Sequence, residues 1–260
     1  RRRHPTARPV PPPRPSMTFA ALAVVLVCLN LLGLVMVLSA SSVSALDTYG
    51  SSWYVAMRQA MFMLAGGLGC LVAMRLDYHR WRPVARPLLG LTGLLLVLVL
   101  VPGLGTTANG ATRWLGYGPF SIQPSEIAKL TVLVFAADLL ARRAAWVADT
   151  RVTLRPVLVV TSVVAALLML QPNLGTTLVL GSIVLTVLYV AGTPLRPLAT
   201  VSLAGAAAAV TLALAAPYRR ARVLAFLDPW QDYENTGYQT IQSLVGLASG
   251  GLTGTGLGES

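Results

Sequence analysis

Lysine is almost missing from this 260-residue chain, acidic residues number nine, and cysteine occurs twice. Each scarcity excludes something. Charged residues make up 11% of the chain, against about 25% in soluble domains. Such a composition cannot cover a water-facing surface, so lipid is the implied solvent. Cys28 and Cys70 lie inside apolar runs without metal-type spacing, which argues against a disulfide or a zinc site. There is no GxxxxGK[ST] or GxGxxG stretch, no Ser-His-Asp arrangement and no metal cluster. No cofactor is evident, and only a divalent cation stays open. His4 and His79 sit in basic segments without partners.

What is abundant is apolar sequence, 55% of the residues. Long runs cover 17–40, 54–74, 88–102, 125–141, 156–171, 174–191 and 198–216. Each approaches the ~20 residues that cross ~30 Å of hydrocarbon. The runs at 88–102 and 156–171 are short, so their helices are expected to extend into the flanking segments. The first run is too long for a signal peptide, whose apolar region spans about 7–15 residues. The expected fold class is therefore an all-α polytopic membrane protein, with about seven spans present.

The net charge of +11 raises nucleic acid as a partner, but the placement of the charges argues against it. Nineteen of the twenty basic residues are Arg, clustered at Arg1 to Arg14, Arg75 to Arg86 and Arg142 to Arg155, between the apolar runs. Short basic loops of this kind stay on the cytoplasmic side. The expected topology has a cytoplasmic N-terminus, Arg113 outside, 142–155 inside and 217–260 outside. Residues 1–16 (RRRHPTARPVPPPRPS) read as a disordered Arg/Pro-rich cytoplasmic tail. Residues 17–216 form the bundle, and 217–260 read as the start of a large extracytoplasmic loop. Because the chain opens on Arg1 and closes in glycine-rich sequence, a piece of a longer protein is expected.

The most informative stretch is GATRWLGYGPFSIQPSEIAKL, residues 110–130. Pro124 suits the first turn of a helix, where its missing N–H costs nothing. Glu126 complements the dipole there. Lys129, the chain's single lysine, lies three residues on and shares the helix face. Ionisable groups at the mouth of a membrane helix are expensive and face a cavity or one another. Two readings follow: a structural ion pair, or a polar cavity for an anionic ligand. Arg113 likewise reads either as a headgroup anchor or as a bidentate phosphate ligand, and Trp114 and Gln123 belong to the same stretch.

QPNLGTT (171–177) carries turn residues and reads either as a tight hairpin turn or as cavity-lining backbone. Residues 228–260 are rich in amides, hydroxyls, aromatics and, toward the end, glycine. Asn235, Tyr238, Gln239 and Gln242 suit carbohydrate recognition, and the glycine-rich end reads as a mobile linker or a loop that closes over substrate. Asp228, Asp232 and Glu234 are candidate acids, but no second carboxylate sits at glycosidase spacing. Asp138 and Arg142, four apart, read as an ordinary ion pair.

GLVMVLSASSV (33–43), Arg58-Gln59, residues 110–130, QPNLGTTLVL and NTGYQTIQSLVGLASGGLTGTGLGES together resemble the SEDS proteins of cell shape, elongation, division and sporulation. The likeness covers about 17–260 and leans toward the division branch. It implies a ten-span fold, a site in the bacterial inner membrane at the septum, and polymerisation of lipid II by inverting glycosyl transfer. The implied partners are a class B penicillin-binding protein and other divisome membrane proteins, besides membrane lipids. By motif, Arg113, Glu126 and Lys129 match positions important for activity, and the GYQ and QSL residues match the large external loop. Two departures stand out. Asn173 occupies a position that is commonly Asp, and the Asp expected as catalytic base falls in a stretch after Ser260, so catalysis is not expected from residues 1–260 alone. A lipid transporter and a non-catalytic divisome scaffold are the competing readings.

Overall fold

The structure, a computed structural model, describes residues 17–108, 111–117, 120–251, 254 and 256. The Arg/Pro-rich tail and most of the glycine-rich end lie outside them. Contacts divide the chain into two compact units, residues 1–73 with 246–260, and residues 74–245.

In the first unit, α1 runs Met17–Tyr49 and α2 starts at Tyr54 and ends at Arg75. Polar side chains inside α1 bond back to their own helix: Asn30 donates to the Leu26 carbonyl at 2.8 Å and Ser41 to the Val37 carbonyl at 2.6 Å. In hydrocarbon that local bond spares a polar group from going without a partner.

The second unit holds α3 (Trp81–Leu100), α4 (Pro124–Arg142), α5 (Leu154–Leu170), α6 (Leu174–Val190), α7 (Leu195–Ala215) and α8 (Pro217–Leu227). A further helix, α9, runs Tyr238–Gly250. Seven helices match the seven apolar runs. As expected for the two short runs, α3 begins seven residues before its run and α5 two residues before its own. Among the described residues, four helices are long and apolar enough to cross a membrane: α1, α2, the Tyr78–Leu100 segment and α7. At 17 residues each, α5 and α6 reach about 25 Å. The 19-residue α4 carries Glu126, Lys129, Asp138 and Arg142. The fold is that of an all-helical polytopic membrane protein.

The core centres on α4. Ala128, Val132, Ala136 and Leu140 are buried at a strict spacing of four, which makes one straight ridge along the helix. They meet Leu96 of α3, Val164 and Leu168 of α5, and Leu180, Val184 and Leu188 of α6. Lipid tails are as apolar as leucine, so such contacts gain from close packing rather than from leaving water. The two alanines let the backbones approach. Leucine at Ala128, which is fully buried, would overfill that contact at a cost of about 1–3 kcal/mol.

One feature the helical reading did not draw is a small antiparallel sheet between α3 and α4. Strands β1 (Gly105–Ala108), β2 (Ala111–Tyr117) and β3 (Phe120–Ile122) lie in the order β1-β2-β3. Gly105 faces Leu115 and Thr106 faces Trp114, but Thr107 then faces Thr112. Arg113 is the residue left over, the bulge of β2. A bulge breaks the alternation of faces and re-aims a side chain. Gly105 is required sterically, since a Cβ there would collide with the Val99 carbonyl and the Thr112 methyl.

Candidate functional site

The sheet, the start of α4, and the turn joining α5 to α6 meet at one end of the bundle. Arg113 ties them together. Its Nε donates to the Gln171 carbonyl at 3.2 Å and its Nη2 to the Pro172 carbonyl at 2.5 Å. Gln171 is the C-cap of α5, so the guanidinium satisfies carbonyls that a helix end leaves without partners, at the negative end of the dipole. A guanidinium has five N–H donors. Two are committed here, and the remainder stay available to an anion.

Gln171 itself is 1% exposed. Its Nε2 donates to the Leu96 carbonyl of α3 at 2.9 Å, while its Oε1 is buried without a partner. The sequence reading placed this residue in a turn and gave it no role of its own. Its bond spans 75 positions, so no local pattern signals it. Beside it lies a cleft of about 530 Å³ between the end of α3, the sheet and the α5–α6 turn, lined by Val99, Gly105, Thr107, Thr112, Gln171 and Pro172. Thr107 and Thr112 share a hydroxyl–hydroxyl bond of 2.8 Å there.

Asn173 is the N-cap of α6 and accepts from the Thr176 amide at 3.4 Å. Asn and Asp serve about equally at that position. The turn therefore keeps its capping chemistry although this chain lacks the common Asp, and the cap explains the residue type without any ionic role.

At the entrance of α4 the sequence expectations hold locally. Pro124 occupies the first turn, and Gln123 precedes it as a half-buried N-cap without a side-chain capping bond. The Lys129 Nζ lies 2.8 Å from the Glu126 Oε2. Glu126 is 56% exposed at its side chain and Lys129 26%, so the pair faces outward rather than being sealed in. The ammonium keeps donor capacity beyond that one contact. Strand β2 packs against α4, yet Arg113 and Lys129 hold separate partners and no hydrogen bond or ion pair joins them. Trp114 is half-buried.

The residues after α7 form a separate cluster. Asn235, Tyr238, Gln239 and Gln242 are all exposed, the last three on one face of α9. Asp232 accepts from the Asn235 amide at 3.0 Å, the Thr236 hydroxyl at 2.8 Å and the Thr236 N–H at 3.2 Å. These donors, the Asn235 side chain foremost, hold its carboxyl below the ordinary carboxylate value. Three donors from its own loop favour the charged form of this carboxylate, so Asp232 serves as a local cap. Asp228 accepts from the Trp230 amide and Glu234 from the Tyr233 hydroxyl. Gly237 admits no side chain, because a Cβ would strike the Pro229 carbonyl. Among the described residues, no hydrogen bond links this cluster to Arg113 or Lys129, and no three of His, Cys, Asp and Glu gather as a metal site would need.

A helical membrane bundle with a cation-bearing polar end defines a polytopic membrane protein, a class that includes both enzymes and transporters. The chain belongs to the FtsW, RodA and SpoVE family, described as cell cycle proteins, whose sequence model matches residues 19–260. The probable peptidoglycan glycosyltransferase FtsW of Geobacter metallireducens is 37% identical over 246 residues, 95% of this chain and 65% of that protein. Among solved structures, one described as the structural coordination of polymerization and crosslinking by a peptidoglycan synthase complex matches with a TM-score of 0.61. It is 36% identical and covers 86% of this chain and 66% of that one. The rod shape determining protein RodA of Thermus thermophilus matches at 0.51, with 33% identity over 71% of this chain and 58% of its own. The chain spans about half to two thirds of the length of the curated relatives it matches.

Proposed function

We propose that this chain is the N-terminal part of a peptidoglycan glycosyltransferase that polymerises lipid II at the division septum. The observation that carries the reading is the arrangement at one end of the bundle: Arg113 aimed by a bulge, and a Glu126–Lys129 pair open at the mouth of α4. Relatives named as probable peptidoglycan glycosyltransferases support it. In the reaction, a base takes the proton of a sugar 4-hydroxyl as that oxygen attacks the anomeric carbon of a second lipid-linked sugar. The bond to the lipid diphosphate breaks, and configuration at that carbon inverts. Free donors on Arg113 and Lys129 stabilise the negative charge gathering on the departing diphosphate, as preorganised charges do. Glu126 keeps the ammonium in place. Trp114, Gln123, Asn235, Tyr238, Gln239 and Gln242 line the approach of the saccharide.

The same reading puts the N-terminus and the Arg142–Arg155 segment in the cytoplasm, and residues 217–260 in an extracytoplasmic loop. It takes a class B penicillin-binding protein and further division proteins as partners.

The test reconstitutes the full-length protein with lipid II and its transpeptidase partner in proteoliposomes. Lys129→Ala and Arg113→Ala are expected to lower glycan polymer formation by about 100-fold or more, as the loss of a charge-stabilising donor does elsewhere. Movement of lipid II across the bilayer with no polymer in the wild type would replace this reading with a transporter.

A further inference from the structure

The opposite end of the bundle carries four arginines around the α4–α5 junction, from the last residue of α4 to the first turn of α5, and they divide into two kinds. Arg142 is bound to Asp138, and Arg143 donates to the Val152 carbonyl. Arg151 and Arg155 have no side-chain acceptor among the described residues; the Asp149 carboxylate takes the Arg151 backbone N–H at 2.9 Å instead. Those two line one groove of about 530 Å³, together with Thr150 and Ser162. The groove then runs along α5 past Leu154, Leu158, Val159 and Val163.

We infer that this groove is a binding site for one anionic phospholipid of the adjoining leaflet, with its phosphate on Arg151 and Arg155 and an acyl chain along α5. Three features favour that occupant. The loop is folded before any ligand arrives: Thr153, fully buried, donates to the Asp149 carbonyl at 2.9 Å, and the Arg155 amide donates to the Thr150 carbonyl at 2.9 Å. The backbone that carries Arg151 and Arg155 is thus fixed, and both side chains line the same groove, each guanidinium able to fork onto phosphate oxygens. No side chain caps the start of α5, whose dipole adds to the attraction for an anion. The length also fits. From Leu154 to Val163 the helix rises about 13 Å, close to the ~15 Å of one hydrocarbon leaflet. A free phosphate or an acidic peptide would use the arginines and leave the apolar trough unexplained. Basic pockets beside membrane helices take anionic headgroups in this way.

The site is distinct from the one at the sheet, so its test reads lipid binding rather than polymer synthesis. The full-length protein is placed in phosphatidylcholine nanodiscs and titrated with phosphatidylglycerol, with bound lipid counted by native mass spectrometry and melting followed in parallel. Wild type is expected to retain one phosphatidylglycerol and to melt higher with it. Arg151→Gln with Arg155→Gln should weaken that binding about tenfold or more, while melting in phosphatidylcholine alone stays unchanged. Arg196→Gln, another exposed arginine outside the groove, should bind like wild type. Ser162→Phe keeps both arginines but fills the trough and should also lose the lipid, which guards against misfolding of the double variant. Equal retention in wild type and double variant, equal stabilisation by phosphatidylcholine, or occupation of the groove by a protein segment would overturn the proposal.

Discussion

Helix α4 carries an ion pair at each end, and the two are built differently. At one end Asp138 is 7% exposed at its side chain, held by the Arg142 Nε at 2.9 Å to both carboxylate oxygens, with Arg82 at 3.9 Å. At the other, Glu126 and Lys129 share a single 2.8 Å contact, and Glu126 is more than half exposed. The first pair buries its carboxylate and draws Arg82 at the start of α3 toward it. The second joins nothing beyond its own helix and leaves donors and acceptors open. Sequence spacing alone ranks the two alike. Burial and saturation tell a structural tie from a group kept ready for a ligand.

That comparison breaks most sharply at Lys129. Lys129→Ala should remove about 100-fold or more of glycan polymerisation by the full-length enzyme, while its melting temperature shifts little, because an exposed helix pair contributes only about 0.3–0.5 kcal/mol. Polymer assays alongside thermal unfolding decide this. A large loss of stability with activity per folded molecule intact would make the pair structural after all.

Asp138→Ala should do the reverse. It frees two arginines that are roughly half exposed and able to reach water, so the cost falls below the 3–5 kcal/mol of a fully buried broken pair, at about 2 kcal/mol. Unfolding in detergent would show it, with activity per folded molecule preserved.

Asn173→Ala removes the cap of α6 and should cost about 1 kcal/mol, whereas Asn173→Asp should keep the stability of the wild type. A collapse of activity in the aspartate variant would show that the missing charge at this turn matters beyond capping.

The smallest effect concerns Asp232. Its carboxyl sits below the ordinary value because Asn235 and Thr236 donate to the charged form. The contribution is therefore present above the unfolded pKa and disappears as pH falls through the lower, folded one. Hydrogen exchange of the residues joining α8 to α9 should quicken only below about pH 4, and Asp232→Asn should flatten that dependence.

Much of this was legible in the residues themselves. The apolar runs marked the positions of α1 to α7, because the hydrocarbon thickness imposes a length that shows in composition. Pro124, Glu126 and Lys129 announced a helix start and a shared face, since all three signals act within one turn. Asp138 and Arg142 were readable for the same reason. The sheet was not drawn, although Asn109-Gly110 between two short strands is a recognised hairpin signal. In a chain so dominated by helical runs, that dipeptide was outweighed. Gln171 was unreadable on any local pattern. Its bond reaches back to Leu96, and Arg113 reaches forward 58 and 59 positions to the turn. Contacts of that range exist only once the helices are packed. The polar groups after α7 read as amides and aromatics suited to a saccharide, with candidate acids but no second carboxylate at glycosidase spacing, and the geometry makes Asp232 a local cap.

The bulge in β2 places a constraint on this region that no single substitution reveals. With Arg113 as the unmatched residue, the direction of its guanidinium depends on whether the count of residues in the strand is odd or even. Removing one residue between Thr107 and Arg113, or adding one, would turn the arginine to the opposite side of the ribbon even if every remaining side chain were kept. The segment therefore constrains parity as well as identity, and a one-residue change of length should cost more activity than a two-residue one.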